Sequence, residues 1–359
     1  MKKILALIIS VFILIPNTKA STSSASSYIL MDASTGRVLQ GKDIYNQKLI
    51  ASITKIMTCI IAIENTDINE IITVDESILK AYGSGIYIQI GEEISIKDLL
   101  YGLMLRSGND AAIMIATYIS NSEKEFVELM NNKAKEIGMK NTIFNNSSGL
   151  DEEGGNYSTA YDMALLTRYA MQNETYRQIV KTKNYQVKTN YKSYSWTNKN
   201  KLLKYDYITG GKTGYTEKAK RTLVTTATIN NMDLIVVTLK DSDDWNTHLD
   251  LYDYAKNNYI SYKVLNKSKF KIEEDTYFNG NLYIKNDVYI PFKKNETNSL
   301  INHIKLYKIK DYQDGDIVGI SQIIYNNEVL YEEKIYIAKE NKISKKENIF
   351  TKIKKWFDD

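Results

Sequence analysis

Ala51-Ser52-Ile53-Thr54-Lys55 opens an apolar run that continues through Ile56, Met57, Ile60, Ile61 and Ile63 to Glu64, and the reading of that run decides the fold. Its apolar residues fall around the whole helical circumference, too many for a surface helix. The pattern therefore predicts a central, buried helix over Ser52 to Glu64. Ser52 and Lys55 are three apart and share one face of it, about one turn from each other. A hydroxyl beside an amine can be a nucleophile beside its base, provided the amine's pKa is lowered, and burial lowers it. The plainer reading is coincidence, since Ser77-Ile78-Leu79-Lys80 and Ser268-Lys269-Phe270-Lys271 have the same spacing. The rest of the chain has to decide between them.

On the N-terminal side, Lys2-Lys3, an apolar stretch from Ile4 to Ile15 and Pro16-Asn17-Thr18-Lys19-Ala20 have the order of a secretory signal peptide, residues 1–20, cleaved after Ala20. The apolar stretch is short of the roughly 20 residues a spanning helix needs. Tyr28 to Met31 and Arg37 to Leu39, separated by the turn residues Asp32 to Gly36, predict a hairpin. On the C-terminal side, residues 66–97 predict loops and short strands, and Lys97 to Leu105 a helix. Ser107-Gly108-Asn109-Asp110 then precedes the apolar helix Ala111 to Ile119. Such a stretch is either an N-cap between helices or a serine and an asparagine aimed into a cleft beside the central helix.

Glu123 to Gly138 predicts an amphipathic helix ended by its glycine, and Thr159 to Gln172 a further one. Thr209-Gly210-Gly211-Lys212-Thr213-Gly214 invites a phosphate-loop reading, but Asp206 stands where that pattern needs its first glycine. A hairpin follows instead: β-branched Thr222 to Ile229, the turn Asn230-Asn231, and apolar Met232 to Leu239. Lys212-Thr213-Gly214 is thus expected on a strand of the same antiparallel sheet, its glycine letting a substrate backbone approach. A helix from His248 to Asn258 closes a domain at 21–261. Short Tyr-, Ile- and Val-rich runs predict a small all-β domain at 262–340. In the tail, 341–359, Ile349, Phe350, Ile353, Trp356 and Phe357 fall on one helical face among six lysines and three acids. That composition suits the surface of an anionic membrane.

Composition removes other classes. The formal charge of +4 owes three lysines to residues 1–20; without them 44 of the 47 basic side chains face 43 acidic ones. Such a chain has no general pull toward nucleic acid. Cys59 stands alone, so no intramolecular disulfide can form, and it reads as a small core residue. With His248 and His303 the only histidines, a zinc site of His and Cys is disfavoured, and a serine nucleophile would have a base other than histidine. No metal or cofactor is expected.

Three groups recur in order: Ser52-x-x-Lys55, Ser107-Gly108-Asn109 and Lys212-Thr213-Gly214. Together with Ser107-Gly108-Asn109-Asp110-Ala111-Ala112, Phe144 to Leu150, Tyr157 to Ala164 and Gly211 to Thr216, they resemble the serine D-Ala-D-Ala carboxypeptidases, the low-molecular-mass penicillin-binding proteins. The resemblance covers Tyr28 to Asn258 well and the β-rich part weakly. It implies an α+β fold: a β-lactamase/transpeptidase-like domain, an antiparallel sheet flanked by helices, followed by the small all-β domain. It implies that Ser52 attacks the penultimate D-alanine carbonyl of a peptidoglycan stem peptide, with Lys55 as base and Ser107 relaying a proton to the leaving D-alanine. By the same resemblance Asn109 holds the substrate amide, and Lys212 and Thr213 bind the terminal carboxylate beside Gly214. The N–H groups of Ser52 and Tyr215 form the oxyanion hole, and β-lactam antibiotics inhibit. Two positions depart from the family pattern: Ala219-Lys220 stands where Ala-Gly is usual, and Asn156 where a histidine is frequent. Lys220 is expected to reshape the cleft rim. A serine β-lactamase or a non-catalytic wall-binding protein would share the fold. The first needs a well-placed deacylating glutamate, and the second would typically have lost Ser52, Lys55 or Lys212, all of which are present.

Overall fold

The structure, a computed structural model, describes residues 23–339 apart from 153, 273–276, 279, 295, 297 and 298. The signal-peptide reading (1–20) and the tail reading (341–359) fall outside the described residues. Among those described, no helix is long and apolar enough to cross a membrane.

The expected hairpin opens the chain as β1 (Ser27–Asp32) and β2 (Val38–Lys42). β3 (Lys48–Leu49) leads into a 3-10 turn, Ala51–Thr54, and then α1 (Lys55–Asn65). The central helix thus begins three residues later than its apolar pattern suggests, and Ser52 sits on the tight turn that feeds it. β4 (Ile71–Thr73) and β5 (Glu93–Ser95) pair around the loop between them. α2 (Ile96–Tyr101) runs into a π-helical turn, Gly102–Arg106, before α3 (Asn109–Ser120). α4 (Glu123–Ile137) is capped by the Ser122 hydroxyl and ends at Gly138, φ +89°, where a left-handed residue satisfies the last carbonyls. β6 (Tyr157–Ser158) pairs with β3, and Thr159 caps α5 (Ala160–Ala170).

Residues 173–204, on which the sequence pattern is silent, form α6 (Glu174–Lys181), the hairpin β7 (Asn184–Lys188) and β8 (Ser193–Thr197), and a 3-10 turn. The hairpin is anchored by aromatic stacking of Tyr101 on Tyr185 at 3.7 Å and by Tyr194, whose hydroxyl donates to the buried Glu92 carboxylate at 2.8 Å. Then come β9 (Ile208–Thr216), β10 (Lys220–Ile229) and β11 (Met232–Leu239); Asn230 and Asn231 at φ +51° and +60° make the tight turn between the last two.

These strands form one antiparallel sheet in the order β2-β1-β11-β10-β9, so β9 is an edge. On one face, Ile29, Met31, Val224, Ile235 and Val237 pack against the helices, with α1 enclosed by α3, α4, α5 and α6. Every residue of α1 from Lys55 to Ala62 is buried. Full burial of a side chain such as Ile56 or Ile60 contributes roughly 1.5–3 kcal/mol. On the other face α7 (Asp244–Asn258) packs Leu251 and Tyr252 against Leu30, Leu223 and Val236. α7 starts four residues before the expected His248. That histidine is fully buried beneath it, bridging Thr225 (2.7 Å) and Thr238 (3.1 Å), and burial pushes its pKa down to about 3.

β12 (Ile260–Leu265) pairs with β14 (Val288–Phe292), while β13 (Gly280–Tyr283), β15 (Leu300–Leu306), β16 (Ile317–Tyr325) and β17 (Glu328–Lys339) form a sheet ordered β13-β17-β16-β15. These strands have their own apolar core, from Leu265 to Ile337. Arg37 ties it to the first sheet: the guanidinium donates to the Pro291 carbonyl (3.1 Å) and Glu296 (2.9 Å). It also lies 5.2 Å from the ring centroids of both Phe292 and Tyr325.

Candidate active site

Three elements of different origin meet at the exposed side of β9. The first is the turn before α1. Ala51 is held at φ +50°, a strained conformation for a residue with a side chain. Gly149 packs so closely on it that a Cβ there would come within 2.0 Å of the Ala51 carbonyl oxygen. This leaves Ser52 half-buried at the surface while Lys55, one turn on, is fully buried. The second is the π-helical turn, which ends on Ser107 at φ +65°, its Oγ within reach of Lys212 on β9. The third is β9. Lys212 and Gly214 lie opposite Val224 and Thr222, on the sheet face that carries α1. A Cβ on Gly214 would stand 3.0 Å from the Ser52 nitrogen, so only glycine lets β9 lie against the turn.

The Lys55 amine has three neighbours: Ser52 Oγ at 3.1 Å, Asn109 Oδ1 at 2.7 Å and the Ser148 carbonyl at 2.5 Å. The last two can only accept. Asn109 is held in that sense because its Nδ2 donates to the Tyr82 carbonyl at 2.6 Å. A neutral amine has two N–H groups and one lone pair. With both N–H groups taken by Asn109 and Ser148, the lone pair faces Ser52 Oγ. The neutral form is accessible at ordinary pH: burial, then the Lys199 ammonium, bring Lys55 down to about 7, and Asp110 opposes them.

Lys212, 2% exposed, places its amine 3.0 Å from Ser107 Oγ and 2.7 Å from its neighbour's carbonyl, that of Thr213. Burial, then Lys55 and Lys199, hold its pKa well below the usual lysine range. The structure therefore brings Ser52, Lys55, Ser107, Asn109, Lys212, Thr213 and Gly214 to one site, with Tyr215 exposed at its rim. Neither histidine takes part, His248 being buried under the far face of the sheet and His303 lying on β15. Among the described residues no cluster of three His, Cys, Asp or Glu is placed to hold a metal.

Lys199 carries no signal in the sequence. Asn198-Lys199-Asn200 reads as a polar loop, and only the fold sets its amine beside Ser84 Oγ, at 3.4 Å, and within electrostatic reach of both active-site lysines. Asn156, the first departure from the family pattern, is buried. Its amide donates to Thr54 Oγ1 (2.9 Å) and to the Asn146 carbonyl (2.9 Å), and its Oδ1 accepts from the Asn145 and Asn146 N–H groups. It ties the 145–149 loop to the start of α1 without a charge. A second tie, from Thr216 Oγ1 to Asp151 just beyond that loop, joins this segment to β9.

Lys220, the second departure, bears on the backbone. It stands at φ +59° as the exposed first residue of β10, paired with Thr216, its amine toward Glu217 at 3.4 Å. A left-handed residue costs about 1 kcal/mol unless it is glycine, and an exposed ion pair contributes little against that. Lys220→Gly is expected to raise the melting temperature by about 1–2 °C and to leave the site's activity as it was. A lower melting temperature in a thermal scan would refute the strain argument.

A model for the D-alanyl-D-alanine carboxypeptidase family matches residues 16–243, and the chain belongs to that family. It is similar to the D-alanyl-D-alanine carboxypeptidase DacF of Bacillus subtilis (strain 168), with 33% identity over 95% of this chain and 91% of that protein. Among solved structures, penicillin binding protein 5 from Haemophilus influenzae matches with a TM-score of 0.68 at 25% identity, over 88% of this chain and 97% of that one. The peptidoglycan synthesis regulatory factor PBP3 from Streptococcus pneumoniae matches with a TM-score of 0.77 over 89% and 99%; at 22% identity it speaks for the fold alone. Both likenesses run past the family match into the β-rich strands.

Proposed function

We propose that the protein is an exported serine D-Ala-D-Ala carboxypeptidase that removes the terminal D-alanine from peptidoglycan stem pentapeptides. The observation that carries this reading is the directed hydrogen bonding at Lys55, which leaves a neutral amine with its lone pair on Ser52 Oγ. Ser52 Oγ attacks the penultimate D-alanine carbonyl as its proton passes to Lys55. The oxyanion takes hydrogen bonds from the N–H groups of Ser52 and Tyr215, each worth about 3 kcal/mol in comparable sites. The intermediate collapses to an acyl-enzyme as the proton taken up by Lys55 is relayed through the Ser107 hydroxyl to the leaving amine, and water then hydrolyses the ester to release the shortened peptide. Asn109 orients the substrate amide.

Lys212 and Thr213 receive the terminal carboxylate beside Gly214. That carboxylate favours the Lys212 ammonium, whose charge then presses Lys55 further toward its neutral, basic form. A β-lactam meets the same nucleophile, so penicillin is both inhibitor and probe. Incubation with labelled penicillin followed by intact-mass measurement tests the reading. A slowly clearing adduct on Ser52 and D-alanine release from a pentapeptide are expected. Rapid clearing with hydrolysed drug would make it a β-lactamase, and no adduct would leave a wall-binding protein.

The family's cell-wall substrate and the N-terminal signal pattern support action outside the cytoplasm. In this reading residues 21–261 are the catalytic domain and 262–340 a β-rich spacer. The tail 341–359 rests its aromatic face on an anionic membrane. Removing 341–359 is expected to abolish co-sedimentation with phosphatidylglycerol vesicles and to spare hydrolysis of a soluble peptide. Unchanged sedimentation would remove the anchor.

A further inference from the structure

Asp110 follows Asn109 at the first turn of α3 and is 7% exposed. It is not itself within the chain of groups that handle the proton, yet its carboxylate is fully engaged. Oδ1 accepts from the Ile86 N–H (3.0 Å) and from its own neighbour Ala111 (2.9 Å), and Oδ2 accepts from the Tyr87 N–H at 2.6 Å. Gly108 makes room for it, since a Cβ there would lie 2.8 Å from Oδ1. Tyr87 is held at φ +62°, a conformation a bulky residue keeps only when its surroundings impose it.

The segment so captured is one wall of the cleft. The Tyr82 carbonyl accepts from Asn109 Nδ2 at 2.6 Å, the Ser84 carbonyl accepts from the Asn109 N–H at 2.7 Å, and Ser84 Oγ meets Lys199. If that segment moved, the Asn109 amide would lose the partner that fixes which of its ends faces Lys55.

We propose that Asp110 is a positioning residue for the reaction: by holding the Ile86 and Tyr87 N–H groups it clamps the Tyr82–Tyr87 wall onto α3 and so fixes Asn109 Oδ1 against Lys55. The proposal rests on Lys55 being the base. The charged groups that bear on Lys55 are Lys199 from the loop after β8, Lys212 from β9 and Asp110 from α3, and only Asp110 favours its ammonium. Loss of the Asp110 charge therefore moves the pH at which Lys55 becomes basic downward, a signature that a merely structural residue would not give.

Asp110→Asn keeps the shape but turns an NH2 group toward a peptide N–H, so one side of the clamp opens. In the full chain, acylation by a fluorescent penicillin and kcat/KM for a soluble D-Ala-D-Ala peptide are expected to fall by up to about 100-fold, the scale of an ångström-sized misplacement. The acid limb of the pH profile is expected to move to lower pH. Asp110→Glu keeps the charge with displaced geometry, and its limb should stay at the wild-type position while its rate falls. Wild-type rates and limb in Asp110→Asn would overturn the proposal, as would a loss fully accounted for by unfolded protein in both variants. A wild-type protein that forms no adduct would instead remove the underlying enzyme reading.

Discussion

With Ser52 replaced by alanine, D-alanine release is expected to fall by about six orders of magnitude, the loss seen when the nucleophile is taken from a serine–base unit. No penicillin adduct should be detectable by mass. The fold should hardly notice. Ser52 is half-buried, and its Oγ lies 3.1 Å from the Lys55 amine. Substitutions away from a packed core stay within about 0.5 kcal/mol, so the melting temperature should move by less than about 2 °C. An adduct on Ser52→Ala would assign the nucleophile elsewhere. The decoys Ser77 and Ser268 offer a built-in comparison. Ser77 Oγ contacts Thr117 at 3.2 Å and Ser268 Oγ contacts Asn266 at 2.8 Å, neither near a buried lysine. What distinguishes Ser52 from them is that its lysine partner is inside the protein.

That distinction explains how much of the molecule could be read in advance. The apolar run after Lys55 announces its own burial, and burial of the helix implies burial of the amine. The β-branched run Thr222–Ile229 and the apolar run Met232–Leu239, joined by Asn230-Asn231, likewise announce a sheet, which puts Lys212 on a strand. Local pattern fails where contact depends on distant chain. Nothing around Lys199 signals that its backbone N–H will reach the Leu105 carbonyl at 3.1 Å and bring its amine to the cleft. Glu92 looks like a surface glutamate in sequence, yet the fold buries it as the acceptor for Thr189 and Tyr194. Arg37 lies in a hairpin whose own residues do not predict a partner some 250 positions away at Pro291.

The apolar pattern also predicts a central helix from Ser52, whereas the α-helix starts at Lys55. Periodicity cannot separate the two, because a 3-10 turn and an α-helix both set residues three apart on one side. The strain at Ala51, forced by the close approach of Gly149, selects the tighter turn. That selection matters chemically, since it lifts Ser52 to the surface while leaving Lys55 inside.

Lys55→Met should cost about 10²–10⁴ in acylation rate, the usual worth of a positioned general base, and the pH profile identifies the cause. With Lys55 at about 7, the wild-type rate should climb with pH, roughly a tenth of its maximum at pH 6 and nine tenths at pH 8, and then level off. The methionine variant should keep only a small rate without that limb. A limb near 7 surviving in Lys55→Met would place the base elsewhere. Stability should respond to the same group and in the same direction, over a higher pH window. Its folded pKa lies below the unfolded value of 10.5, so between about pH 7 and 10 the unfolded chain holds the extra proton, and the wild type gains stability as pH rises through that window. Lys55→Met lacks this term but leaves Asn109 Oδ1 and the Ser148 carbonyl without their donor, a loss of about 1–3 kcal/mol for each buried acceptor. Measured against wild type, the variant should therefore be at its best near pH 6, where the native protein must carry a buried ammonium, and should fall behind as the pH rises. The burial that keeps Lys55 neutral, and so free to accept a proton, is what the fold gives up stability to maintain.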